Sequence, residues 1–119
     1  MGLTAAESPD ERRGLRTFGS ALRTGILVLT AGLGDSYPSE LARLLGVRTS
    51  VVQRAVKELE YEGLLATQPR IGIRRVTIDP RRFGAKELIA YLERLAAAPP
   101  YSTILDAYRR RPRRQGKPL

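Results

Sequence analysis

The chain has 119 residues, 42% hydrophobic and 28% charged, and its 21 Lys and Arg against 12 Asp and Glu leave a net charge of +9. That length allows one domain with a core but not two of ordinary size, and the charge points to a polyanionic partner. With no cysteine and no histidine, thiolate and imidazole metal sites, Cys or His nucleophiles, disulfides and a near-neutral histidine switch are excluded; no cofactor is expected.

In chain order, residues 1–14 (MGLTAAESPDERRG) are polar and aperiodic and read as a flexible arm without the apolar stretch of a secretory signal. From about 16 to 33, Phe18, Leu22, Ile26, Leu29 and Leu33 recur at spacings of four and three, the pattern of one face of an amphipathic helix. Its apolar run GILVLTAGLG is about half the length of a membrane span, so no membrane partner is expected, and the cytoplasm, at the nucleoid, is the expected location.

Pro38 suits a first helical turn and Glu40 the positive end of its dipole; Leu41, Leu44 and Leu45 make a short second helix ended by Gly46. A third helix runs from Thr49 to Gly63, with Val52, Ala55, Val56 and Leu59 inward and Thr49 or Ser50 available as its cap. After Gly63 the segments LLATQ and IRRVTI are strand-like, and PRIG between them, with Pro69 and Gly72, marks the turn of a basic hairpin. Ile71 and Ile73 beside the tip are expected to pack under the hairpin or to touch sugars.

A helix over 86–97 follows, through Leu88, Leu92 and Leu95, stopped by Pro99 and Pro100; Ser102 can cap a last short helix, and from Arg109 onward six basic residues and no acid form a tail. The expected divisions are an arm (1–14), a folded domain with its C-terminal helix (15–98), and a short helix with a basic tail (99–119). The fold class is mainly α with a small β-hairpin: a winged helix-turn-helix with C-terminal helices.

A helix of about 10–12 Å diameter fits the DNA major groove, and the third helix has the face to enter it. Gln53 and Arg54, with Ser50 beside them, are the candidates for base readout, since Gln pairs bidentately with adenine and Arg with guanine, each pair worth roughly 1–3 kcal/mol of discrimination. Arg48, Thr49, Lys57 and Arg43 are candidates for the DNA backbone, the hydroxyls of Thr49 and Ser50 also being able to hold phosphate at the helix N-terminus. Glu58, Glu60 and Glu62 gather at the other end, leaving the beginning of the helix positive. In the wing (64–78), Arg70, Arg74 and Arg75 can straddle phosphates or enter the minor groove. The bland alternatives are a solvated helix face, a charged hairpin that resists edge pairing and a merely solubilising tail.

The run from Phe18 to Leu65, FGSALRTGILVLTAGLGDSYPSELARLLGVRTSVVQRAVKELEYEGLL, resembles the winged helix-turn-helix of bacterial and archaeal ArsR/MarR-type transcriptional regulators. The likeness covers roughly residues 16–80 and is strongest in SELARLLGV, in the Val52, Val56, Lys57, Glu58, Leu59 pattern of the third helix and in EGLL. It implies a dimeric regulator that reads a palindromic operator with the third helix and wing. Arg48 stands where such families have a Ser or Thr cap, and the Cys and His ligands of metal-sensing members are absent, so any effector would be some other small molecule. The third helix is also similar to that of GntR-type regulators, whose large effector domain is not expected within 119 residues.

Leu88, Ile89, Leu92 and Leu95 are the expected homodimer surface, the apolar face of that helix being broader than a small domain needs. Two other classes compete with a sequence-specific regulator of transcription: a non-specific DNA-binding accessory or architectural protein, and a winged-helix protein-interaction module. No enzymatic activity is expected, because Asp35, Glu40, Asp79 and Glu87 have no spacing for a metal or acid/base pair and GLGDSY lacks the Lys and Ser/Thr of a phosphate loop.

Overall fold

The computed structural model describes residues 16–110; the predicted N-terminal arm and the tail beyond Arg110 lie outside the described residues. Five helices and a hairpin follow in the order α1 (Ala21–Leu33), α2 (Pro38–Leu45), α3 (Thr49–Tyr61), β1 (Leu65–Arg70), β2 (Ile73–Ile78), α4 (Ala85–Ala96) and α5 (Tyr101–Arg110). The architecture is mainly α with a small β wing, as the hydrophobic periodicities predict.

Helix α1 begins at Ala21 rather than near residue 16. Gly19 takes φ +109°, and Ser20, in extended backbone, accepts the Arg23 N–H at 3.1 Å as the N-cap. Phe18 therefore sits in a preceding turn, its N–H donating to the Thr24 hydroxyl at 3.0 Å, while its ring packs against the core. The stripe expected for α1 is only part of its buried surface. Every residue from Thr24 to Ala31 is buried, Leu27 and Val28 as completely as Ile26 and Leu29, because α2, α3, α4, α5 and β2 all pack on this helix. Two glycines permit that crowding. A Cβ at Gly25 would lie 2.9 Å from Leu45 of α2, and one at Gly32 2.9 Å from Leu105 of α5 and 3.3 Å from Ala96 of α4.

The hairpin pairs antiparallel from Leu65 opposite Ile78 to Arg70 opposite Ile73. Pro69 and Arg70 are thus strand residues, and the turn is Ile71 and Gly72 alone. Pro69 is tolerated because an outer strand leaves one side of its backbone facing solvent. Ser36, just before α2, pairs with Val76, each N–H donating to the other's carbonyl at 2.9 and 2.8 Å, so the base of the wing is stitched to the loop after α1.

Leu92 and Ala96 of α4 are buried, and so are Tyr101 and Leu105 of α5. Burial pushes the Tyr101 phenol up to about 12. The last helix therefore belongs to the core rather than to the tail, and Ser102, expected as its cap, lies inside it. Among the described residues no helix is long and apolar enough to cross a membrane.

Of the predicted dimer stripe, Leu92 is filled from within. Leu92 has 0% exposure in the single chain, and Leu88, Ile89 and Leu95 are half-buried against the same core. Leu92→Ala should lower stability by about 2–5 kcal/mol, measured as a shift of the urea midpoint at unchanged slope; a loss below about 1 kcal/mol would show that this position is not core.

Candidate nucleic-acid interface

The helix-turn-helix is shaped by two ends and one start. Gly46 stops α2 with φ +71°, and the next N–H, of Val47, donates back to Ala42 O at 3.0 Å. Arg48 then takes the N-cap position of α3 in extended backbone, its carbonyl accepting from Val51 at 3.1 Å and Val52 at 3.3 Å, with no side-chain cap. The expected Thr49 or Ser50 cap is not formed; both lie in the first turn and their hydroxyls are not used to close it. At the far end the helix stops at Tyr61, two residues short of the expected end. Gly63, with φ +83°, then lets Leu64 N–H reach Leu59 O at 2.9 Å and Gly63 N–H reach Glu60 O at 3.0 Å. That closure aims the chain directly into β1.

Val52, Ala55, Val56 and Leu59 face inward, leaving Ser50, Gln53, Arg54 and Lys57 exposed and Thr49 half-buried. The polar residues divide between two sides. Thr49, Gln53 and Lys57, one helical turn apart, line an open cleft of 690 Å³ whose other wall is the wing, with Arg70, Ile73 and Arg74. Arg48 and Ser50 border a smaller hollow against Ser20, Leu22 and Arg23 at the start of α1. Arg54 borders both and stands on the crest between them. Arg43 is exposed on α2 and borders neither.

The wing arginines are not equivalent. Arg75 pairs with Asp35 of the loop after α1 and is engaged in holding the base of the wing. Arg74 donates to the Thr67 hydroxyl at 2.9 Å, and that hydroxyl donates to Glu60 at 2.9 Å, linking the wing to the end of α3. Arg70 donates a long hydrogen bond, 3.4 Å, to Gln68. Arg70 and Arg74 therefore keep their charge near the tip with no acid partner among the described residues. Ile71, in the two-residue turn, is fully exposed and does not pack under the wing, while Ile73 is half-exposed and lines the cleft.

Three supporting side chains have no local signal that sets their role. Arg23 of α1 donates to Glu62 at 3.2 Å, lies 3.6 Å from Glu58 and donates through Nε to Phe18 O at 2.8 Å, so it draws off the negative charge at the end of α3. The hydrogen bond to Glu62 raises the Arg23 pKa and lowers that of Glu62. Asp35 restrains Arg75. Glu40 is buried, accepting from Ser36 Oγ at 2.6 Å and from the Tyr108 hydroxyl, which fastens the start of α2 to α5. Its position in the first turn is visible in sequence, whereas its partners 4 and 68 residues away are not.

No protein-family model and no curated protein matches the chain. Among solved structures it is similar to a transcriptional regulator from Thermotoga maritima, at 29% identity and a TM-score of 0.53, over 83% of this chain and 78% of that one. The fold is that of a winged-helix transcriptional regulator. The likeness covers most of each chain, so the helix-turn-helix and wing lie within a shared architecture rather than in a local coincidence.

The Arg23–Glu62 pair has a titration signature. In carbon-detected NMR the Glu62 carboxyl should titrate below an ordinary glutamate and move back up in Arg23→Ala; the same midpoint in both proteins would contradict the pairing. Since the folded-state value is the depressed one, the stabilisation is present above the unfolded glutamate range and fades as pH falls through the folded value.

Proposed function

We propose that the protein is a sequence-specific DNA-binding regulator of transcription, of the ArsR/MarR type, that lays α3 in the major groove and sets its wing on the flanking backbone or minor groove. The observation that carries this reading is the shared cleft. Gln53 and Lys57 face Arg70 and Arg74 across it, with Arg54 on the crest, and none of these cations is paired with an acid among the described residues.

Gln53 and Arg54, with Ser50, read base edges; Thr49, Lys57, Arg48 and Arg43 hold phosphates on either side of the groove. Arg70 and Arg74 are the wing contacts, and Arg75 positions them through Asp35. The resemblance supports action as a homodimer, with recognition helices about one DNA turn, roughly 34 Å, apart. The half-buried edges of Leu88, Ile89 and Leu95, with the partly exposed Tyr91, supply the apolar surface for it, and Leu92 backs them from the core. A regulator of this kind acts in the cytoplasm, at the nucleoid.

Fluorescence anisotropy over a range of salt, with a duplex enriched from a random library and a shuffled control, tests this reading. The wild type should prefer the enriched duplex by about 10³-fold or more, and sedimentation of the complex should give two chains per duplex. Gln53→Ala with Arg54→Ala should remove most of the preference, while Lys57→Ala should weaken both duplexes alike and reduce the salt slope by about one. Equal binding of both duplexes by the wild type, at one steep salt slope, would favour a non-specific accessory protein; no binding at all would favour a protein-interaction module.

A further inference from the structure

The wing ends in a feature that phosphate binding does not use. Ile71 occupies the apex of the hairpin with its whole side chain in solvent, and Ile73 beside it is 49% exposed. Gly72 takes the left-handed turn position at φ +78°, so Ile71 keeps a negative φ at the corner and points away from the domain. Arg70 precedes this apex on one strand and Arg74 follows it on the other, each near the tip in the ladder that pairs Arg70 with Ile73 and Pro69 with Arg74.

An apolar point between two cations matches one face of duplex DNA. The minor groove has phosphates along both walls and base edges at its floor, and proteins that bend DNA from that side insert Ile, Leu, Phe, Met or Pro between base pairs. The wing also has the stiffness a wedge needs: its base is bridged to Ser36 and pinned through Arg75 to Asp35, and its middle is tied through Thr67 to Glu60 of α3.

We propose that Ile71 is a wedge that enters the minor groove beside the operator contact of α3 and partly unstacks a base step, bending the duplex, with Arg70 and Arg74 clamping the phosphates on either side. The inference rests on the DNA-binding reading above and adds to it a deformation of the DNA. It also adds a source of specificity, because flexible pyrimidine–purine steps deform most easily and are favoured under the wing.

The test is end-to-end fluorescence energy transfer in a short duplex enriched from a random library, measured with the wild type, Ile71→Ser, Ile71→Leu and the Arg70→Ala/Arg74→Ala double variant. The wild type should bend the duplex by roughly 20–90°. Ile71→Ser should largely abolish the bend and weaken binding about tenfold at unchanged salt slope, whereas Ile71→Leu keeps both. The double arginine variant should lower the salt slope by about two. Ile71 makes no core contact, so its substitution spares the fold. A wild type that binds the enriched duplex without bending it, or an Ile71→Ser protein that bends and binds as well as the wild type, overturns the wedge and leaves the regulator intact. A wild type that enriches no duplex overturns both.

Discussion

Everything that faces outward in this domain is positioned by the burial of one helix. From Thr24 to Ala31 α1 has no exposed residue, so it works as an axle on which α2, α3, β2, α4 and α5 all bear. Close approach requires backbone without side chain at Gly25, where Leu45 sits, and at Gly32, where Leu105 and Ala96 meet. Because α3 packs on this axle through Val52, Ala55, Val56 and Leu59, the angle at which Gln53 and Arg54 are presented is set by the core and not by the surface. The Gly63 closure carries that orientation into the wing.

The net charge of +9 is distributed by pairing rather than spread evenly. Glu58 and Glu62 are drawn to Arg23, Asp35 to Arg75, and Asp79 to Arg81, while Glu40 is buried under Ser36 and Tyr108. The ion pairs among these lie at the surface and contribute little stability. Their larger effect is on the field: acids near the cleft are spoken for, and the cations at 48, 54, 57, 70 and 74 keep their charge. Glu60 is the exception inside the cleft, and it accepts from Thr67, whose hydroxyl also accepts from Arg74.

The element order and the inward face of α3 were legible because they depend on local periodicity and on glycine stops at 46 and 63 that favour left-handed backbone. The start of α1 was not, since Gly19 and Ser20 interrupt a spacing that continues through Phe18. Pro69 suggests a turn by its residue type, yet the register places it in a strand. The spacing of Leu88, Leu92 and Leu95 suits an interface or a core, and only the packing of α1 and α5 around α4 shows that Leu92 belongs to the core. Long-range partners, such as Tyr108 with Glu40, leave no trace in spacing. Within the candidate site, the residue types were visible, but the division of α3 into a wing-facing row and an α1-facing row, with Arg54 between them, requires the assembled fold.

On the proposed reading, one surface, formed by α3 and the wing tip, meets DNA. Other basic residues offer a rival face: Arg81, Arg82, Lys86 and Arg94 lie around the start and outer side of α4. Titrating an isotope-labelled sample with duplex DNA and following backbone amide shifts compares the two directly. If that reading holds, the largest changes fall on residues 48–57 and 69–74 and α4 stays unperturbed. Changes centred on Arg81 to Arg94, with α3 silent, would contradict it.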